Sequence, residues 1–208
     1  LPFQIEAWEK IYEGKSGLIS VPTGAGKTYA VYLPALSKLH ENPGKGIQIL
    51  YISPLKALAK DLEQALKEPI IDLNLPYRVE KRTGDTSNSH KKLQKKFPPE
   101  ILLTTPESLS LLLTQKDADI LFINLKVIII DEWHELLSSK RGVLLELCLA
   151  RLKKGSANVQ IWGLTATLGN LAEAAKVCVG IDRIPTLVTA NMEREVIIDS
   201  ILPESLEK

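Results

Sequence analysis

Cysteine, histidine and aromatic residues are scarce in this sequence. Its 208 residues include two cysteines, Cys148 and Cys178, three histidines and 5% aromatic residues. Two cysteines in apolar, helix-like contexts cannot supply the dense disulfide framework of small secreted domains, so we expect a reducing, intracellular setting such as the cytoplasm. The three histidines are scattered and do not form a cluster of metal ligands.

Long apolar runs and an excess of one charge are also missing. No run is long enough to cross a bilayer and no secretory signal is visible, so we expect no membrane partner. Lys and Arg number 26 and Asp and Glu 25, for a net charge of +1. Any affinity for nucleic acid must therefore come from a local arrangement of charges. The first residue is Leu1 and the last segment is charged and contains proline, which suggests a fragment of a longer protein. We expect this fragment to be monomeric.

Short apolar segments alternate with helical patterns along the chain. This alternation predicts an α/β fold with a mostly parallel central sheet and helices on both faces. The predicted strands end at Ser20, Ser53, Thr104, Ile130 and Leu164. Ligands bind beyond the carboxyl ends of such strands, so we expect the polar or proline-containing tracts that follow them to crowd one edge.

Several other elements follow from the same patterns. Helices are predicted over residues 54–67 and 86–96, the second with Lys91, Lys92, Lys95 and Lys96 opposite Leu93 and Phe97. Residues 186–189 and 196–198 are short strand candidates. We expect residues 1–189 to form one domain and residues 190–208 to be a short strand and a linker.

The first strand is followed by a glycine-rich turn that opens a helix. The segment reads Val21-Pro22-Thr23-Gly24-Ala25-Gly26-Lys27-Thr28. Gly24 and Gly26 let successive backbone N–H groups point into one concavity, and the helix N-terminus adds its dipole. This pattern predicts a P-loop in which Lys27 reaches the phosphates and Thr28 binds Mg²⁺, although Val21 replaces the first glycine of the strict motif.

Two carboxylates stand at the end of the most apolar strand. Asp131 and Glu132 follow Val127-Ile128-Ile129-Ile130. Beside a P-loop, this is the Walker B arrangement, in which Asp131 holds Mg²⁺ and Glu132 orients or deprotonates the attacking water. The pair favours nucleotide hydrolysis over nucleotide binding alone.

Three further tracts suggest contacts with a sugar–phosphate backbone. Ser53-Pro54-Leu55-Lys56 and Thr105-Pro106-Glu107-Ser108 each predict a hydroxyl N-cap followed by proline in the first helical turn, which places a helix N-terminus at the ligand edge. Residues 78–96 are rich in Lys and Arg around Arg82-Thr83-Gly84-Asp85. Well-capped helices and a solvated basic face are the alternatives without a binding role.

Hydroxyl groups also close the strand that ends at Leu164. Thr165 and Thr167 follow it, and we expect them to lie near Asp131 and His134. Such a cluster predicts a relay between the state of the nucleotide and the rest of the protein.

Taken in order, these tracts resemble motifs I, Ia, Ib, II and III of superfamily 2 helicases. The longer phrases 131–142 and 162–170 resemble the Lhr-type DEXH-box helicases, in particular the ligase-associated branch. The resemblance implies the first RecA-like domain of an ATP- and Mg²⁺-dependent motor on nucleic acid, expected to be DNA, in DNA repair. It also implies that Gln4 contacts adenine, as a Q-motif glutamine does.

The resemblance further implies that half of the ATPase site lies elsewhere. Motors of this family have a second RecA-like domain that carries arginine fingers, and nothing after Thr167 resembles its motifs. We therefore expect this chain alone to bind ATP weakly, hydrolyse it poorly and unwind nothing. The alternatives are an RNA motor, a P-loop phosphotransferase for small molecules, and a nucleotide-responsive switch without catalysis.

Overall fold

Short strands alternate with helices throughout the part of the chain that the computed structural model describes, residues 1–55, 57, 59–166 and 168–190. The strands are β1 (Gly17–Ser20), β2 (Ile49–Ile52), β3 (Val79–Arg82), β4 (Ile101–Thr104), β5 (Val127–Ile130), β6 (Gln160–Thr165) and β7 (Thr186–Thr189). The helices are α1 (Pro2–Tyr12), α2 (Lys27–Glu41), α3 (Ala59–Asp72), α4 (Asn88–Lys96), α5 (Pro106–Leu113), α6 (Ala118–Leu121), α7 (Trp133–Leu136), α8 (Lys140–Gly155) and α9 (Leu171–Val179).

The strands form one parallel sheet in the order β3-β4-β2-β5-β6-β1-β7. The chain leaves β1, crosses over through α2 and enters β2 three positions away, so the strands β5 and β6 lie between the first two strands of the chain. The predicted α/β fold with a parallel sheet is confirmed.

Alternate residues of the central strands face two separate hydrophobic clusters. Val127 and Ile129 of β5 join the cluster beneath α1, α2 and α3, whereas Ile128 and Ile130 join the cluster beneath α5 to α9. All four side chains are fully buried. A central parallel strand is buried on both faces, which explains its unbroken apolar sequence. The prediction of helices on both faces is also confirmed.

The helix predicted from residue 54 begins later than expected. In the structure α3 starts at Ala59, and Pro54 and Leu55 lie outside the helix. The hydroxyl of Ser53 accepts a hydrogen bond from the backbone N–H of Leu55 (3.3 Å), a bond that occurs in turns as well as in helix caps. Helix α3 then continues past the predicted end at residue 67, because Leu66 and Ile70 are buried on the same side.

The predicted orientation of the basic helix α4 is wrong. Leu93 and Phe97 are each 52% exposed, and the buried residue is Gln94. The Gln94 side chain donates to the carbonyl of Lys81 (3.0 Å) and accepts from Arg82 Nη1 (3.3 Å). The helix is therefore attached to the edge strand β3 by hydrogen bonds and has no apolar side facing the core.

Several other features of the described region complete the fold. The short helix α6 was not predicted, and the strand candidate at residues 196–198 lies outside the described residues. Burial raises the pKa of the Cys178 thiol to about 12 and also raises that of Cys148, and both cysteines are free. None of the described helices combines the length and the apolar character needed to cross a membrane.

Gly163 provides a test of the packing between the sheet and α9. A Cβ atom at this position would lie 2.7 Å from Leu18 Cδ1 and 2.8 Å from Cys178 Sγ. We expect Gly163→Ala to lower the free energy of unfolding by about 1–3 kcal/mol, because a tightly packed core must shift to admit a methyl group. The measurement is urea unfolding followed by circular dichroism. Gly169→Ala is the control, since nothing lies within 4 Å of its added Cβ, and equal midpoints for the two variants would contradict the packing argument.

Candidate active site

The carboxyl ends of the strands bring the predicted tracts to one edge of the sheet. Ser20 pairs with Thr165, Ile130 with Gly163, and Ile52 with both Ile130 and Thr104. Neighbouring strands lie about 4.8 Å apart and β6 lies between β1 and β5, so the loops after β1 and β5 are separated by two such spacings, or roughly 10 Å. The prediction that these tracts crowd one edge is confirmed.

The loop after β1 has the backbone of a phosphate-binding turn. Gly24 and Gly26 have φ values of 78° and 86°, a region that residues with a Cβ rarely adopt. Gly26 is the N-cap of α2, so the first turn of that helix presents its unpaired N–H groups at the sheet edge. Thr23 and Gly24 are exposed at the loop tip, and Ala25 is buried.

Lys27 is held inside this loop. Its side chain is buried, and Nζ donates to the carbonyl of Val21 (3.2 Å). Val21, which replaces the glycine of the strict motif, is fully buried, and its N–H donates to the carbonyl of Thr165 (3.3 Å). The valine therefore extends the contact between β1 and β6 by one residue and leaves the turn itself to the two glycines.

Gln4 of α1 lies against the same loop. Its Nε2 donates to the carbonyl of Gly26 (3.3 Å), and a Cβ on Gly26 would lie 2.8 Å from this nitrogen. A cavity of about 380 Å³ adjoins Gln4 and is lined also by Trp8, Tyr29 and Leu33. Gln4 is thus placed where a base attached to a loop-bound phosphate chain could reach it.

The acidic pair follows β5 directly. Asp131 is half-buried, and its Oδ1 accepts a hydrogen bond from the backbone N–H of Glu132 (3.0 Å). Burial raises the pKa of Asp131, and the charge of Glu132 raises it further. Glu132 adopts φ 43° and ψ 49° at the start of α7. A residue other than glycine in this conformation stores backbone strain of about 1–3 kcal/mol, which is a common feature of functional sites.

Tyr51 is a site residue that the sequence did not reveal. It is fully buried in β2, and its hydroxyl lies near Thr28 and Asp131 without a well-formed hydrogen bond to any described residue. Burial, and then the charge of Asp131, raise the pKa of Tyr51 well above its usual value. A tyrosine among Ile49, Leu50 and Ile52 was the available signal, since an aliphatic residue would fill a buried strand position without a polar atom.

The oxygen donors at this edge suit a magnesium ion. Thr28, in the first turn of α2, contributes a hydroxyl and Asp131 a carboxylate, and both are hard ligands of the kind that Mg²⁺ prefers. The unpaired hydroxyl of Tyr51 is a further polar atom close to Asp131 and available to a metal-bound water. These residues therefore fit the predicted metal.

His134 connects the acidic pair to the end of β6. Its Nδ1 lies 3.1 Å from Thr165 Oγ1 and 3.5 Å from Glu132 Oε2, and its Nε2 lies 3.4 Å from Glu135 Oε1. Thr165 and His134 are therefore brought together at the acidic pair, as expected for a relay. Thr167, the other predicted member, lies outside the described residues.

The predicted nucleic-acid tracts differ in what they expose. Thr105 caps α5 by accepting from the N–H of Ser108 (3.4 Å), with Pro106 in the first turn, as predicted. Arg82 is buried and donates to the carbonyl of Lys91 (3.1 Å) and to Gln94, so its charge holds α4 in place.

The turn after β3 leaves only part of its backbone accessible. Thr83 is buried, and its N–H donates to Thr86 Oγ1 (2.9 Å), whereas Gly84 is exposed. Pro54 is buried, and Lys56 lies outside the described residues. A groove of about 640 Å³ beside this turn contains Lys81 and His90, which are paired with Glu63 (3.2 Å) and Glu80 (3.3 Å) respectively.

A sequence profile described as DEAD/DEAH box helicase matches residues 1–174. The ATP-dependent helicase Lhr-Core of Methanocaldococcus jannaschii is 41% identical over 217 aligned residues, which cover 97% of this chain and 26% of the relative. The chain thus spans about a quarter of the length of that relative.

Solved structures of helicases have the same fold. The Lhr helicase of Mycobacterium smegmatis, bound to single-stranded DNA and AMP-PNP, superimposes with a TM-score of 0.82 at 37% identity over 91% of this chain and 26% of that one. The helicase MrfA bound to DNA superimposes with a TM-score of 0.78 at 28% identity over 91% of this chain and 27% of its own.

Two buried tyrosines test the unpaired hydroxyl at this site. Tyr32 and Tyr51 are both fully buried, but only Tyr32 donates a hydrogen bond, to the carbonyl of Leu66 (2.7 Å). We expect Tyr32→Phe to lower the free energy of unfolding by about 1 kcal/mol and Tyr51→Phe to leave it unchanged or raise it by about 1 kcal/mol. Chemical unfolding without nucleotide measures both variants. A larger loss for Tyr51→Phe than for Tyr32→Phe would show that the Tyr51 hydroxyl is paired.

Proposed function

Because the chain belongs to the DEAD/DEAH box helicase family, we propose that it is the first RecA-like motor domain of an Lhr-type, ATP-dependent DNA helicase that couples ATP hydrolysis to strand separation in DNA repair. The observation that carries the proposal is the position of Lys27 and Asp131-Glu132 at one sheet edge, one strand apart. Support also comes from the M. smegmatis relative, which was solved with single-stranded DNA and AMP-PNP.

Each residue of the edge has a defined role in this proposal. The N–H groups of the loop from Thr23 to Gly26 and the Nζ of Lys27 bind the phosphates. Thr28 and Asp131 would hold Mg²⁺, which would neutralise part of the phosphate charge. Gln4 contacts the adenine.

Glu132 performs the proton-accepting role. Its carboxylate orients the attacking water and takes its proton. His134 contacts both Glu132 and Thr165, so a shift of the glutamate on hydrolysis would reach the end of β6 directly.

The nucleic-acid surface lies along the same edge. The N-terminus of α5 and the exposed backbone at Gly84 would bind the phosphates of a strand, and Pro54 and Lys56 are further contacts that the sequence alone predicts. Contacts of this kind do not read bases, so an RNA strand is the alternative substrate. A phosphotransferase for small molecules would have no use for these tracts.

The domain assignment follows from the same proposal. Residues 1–189 form the motor domain, and residues 190–208 lead to a second RecA-like domain whose arginine fingers complete the transition-state site. The half described here would then bind ATP weakly and turn it over slowly on its own.

Glu132 is the decisive residue for hydrolysis. In the full-length protein, we expect Glu132→Gln to retain ATP binding and to lower kcat by roughly 10²–10⁴-fold, because the amide cannot accept the proton of the attacking water. Binding of a fluorescent ATP analogue and steady-state ATPase assays measure the two effects. Glu146→Gln on the exposed side of α8 is the control, and full turnover by Glu132→Gln would remove the glutamate from this role.

The substrate polymer can be tested with the wild-type protein. We expect single-stranded DNA to stimulate the ATPase of the full-length protein more than single-stranded RNA does, and neither polymer to stimulate residues 1–208 alone, because the transition-state charge lacks its partner domain. ATPase rates with each polymer and with none provide the measurement. Stronger stimulation by RNA would favour the RNA alternative, and robust unwinding by residues 1–208 would contradict the half-site proposal.

A further inference from the structure

A single arginine joins the two proline-containing tracts at the sheet edge. The Arg141 guanidinium donates through Nε and Nη2 to both carboxylate oxygens of Glu107, and the Nη2 distance is 3.2 Å. The same Nη2 donates to the carbonyl of Pro54 (2.9 Å). Pro54 follows β2 and Glu107 lies in the first turn of α5 after β4, so the arginine spans the loops of two neighbouring strands.

The backbone that carries Arg141 is fixed by its own turn. Ser139 caps α8 by accepting from the N–H of Gly142 (3.1 Å), and its hydroxyl donates to the carbonyl of Leu136 (2.7 Å). A Cβ on Gly142 would lie 2.1 Å from that same carbonyl, so only glycine allows the close approach of α7 and α8. This turn fixes the backbone that carries Arg141.

Glu107 needs a positive partner where it stands. The helix dipole stabilises a carboxylate in the first turn of α5, but this carboxylate would repel a phosphate bound at the same N-terminus. The Arg141 hydrogen bonds lower the pKa of Glu107, so the carboxylate is charged and occupied by the guanidinium. Glu107 itself is therefore not a phosphate contact.

We propose that Arg141 is a positioning residue for nucleic acid: it fixes the spacing of the Pro54 and Glu107 tracts and neutralises Glu107 beside the strand's phosphates. The proposal rests on the proposed function. The rigid planar fork of arginine matches a carboxylate with two parallel donors and leaves a further N–H for the carbonyl. Both side chains are partly exposed, at 40% and 49%, so the pair lies at the surface that a bound strand would approach.

The test uses the full-length protein and its DNA-stimulated ATPase. We expect Arg141→Gln to raise the concentration of single-stranded DNA for half-maximal stimulation by about tenfold, the value of a lost charge-assisted hydrogen bond, while kcat at saturating DNA changes much less. Arg141→Lys should fall between this variant and the wild type. Arg151→Gln is the matched control, because Arg151 lies on the same helix and pairs with Asp119 (3.4 Å) away from the sheet edge.

A double variant separates positioning from simple stability. Adding Glu107→Gln to Arg141→Gln should recover part of the DNA affinity, because it removes the unpaired carboxylate, and a merely structural ion pair would give no such recovery. No recovery would overturn the neutralising role.

Three further outcomes would overturn either the inference about Arg141 or the proposed function. Wild-type DNA dependence of Arg141→Gln, or an equal loss in Arg151→Gln, would overturn the inference as a whole. A wild-type protein that neither DNA nor RNA stimulates would instead overturn the proposed function, and the inference with it.

Discussion

The parallel pairing of β1, β6 and β5 is the constraint on which the site depends. Because all three strands run in one direction, their carboxyl ends meet, and two segments about a hundred residues apart in sequence become neighbours. Without this pairing, the glycine turn after β1 and the carboxylates after β5 would not lie near each other. The side chains of these strands are close-packed in the two clusters on either face, so a shift by one residue would place side chains of different shape in each cluster and disrupt the packing.

The sequence predicted the centre of the sheet well and its margins less well. Strands such as Val127–Ile130 are apolar at every position, so their type and burial follow from composition alone. The start of α3 was misplaced because the hydroxyl of Ser53 has two possible uses, and the choice between a turn and a helix cap depends on tertiary contacts. The orientation of α4 was wrong for a related reason, since a glutamine was buried in place of two apolar residues.

The residues of the candidate site also divide into those that local sequence patterns predict and those that only tertiary contacts reveal. Lys27, Thr28, Asp131 and Glu132 were predicted because their chemistry is tied to local spacing. Tyr51 and Arg141 were missed because their significance arises from neighbours distant in sequence: the half-buried carboxylate of Asp131 for the tyrosine, and the loops after β2 and β4 for the arginine. Arg82 was assigned as a nucleic-acid contact for the same reason. A basic residue within a basic stretch gives no sign that its guanidinium is buried beneath a helix.

The polar attachment of α4 has a consequence for motion. Gln94 and Arg82 attach α4 to the edge strand β3 by hydrogen bonds, and α4 buries no apolar side chain of its own, so detaching this helix removes few apolar contacts. Local opening is cheapest where few apolar contacts are lost. The helix α4 should consequently exchange its amide hydrogens earlier than the β5–β6 centre, so one flank of the sheet opens more readily than the edge that carries the candidate site.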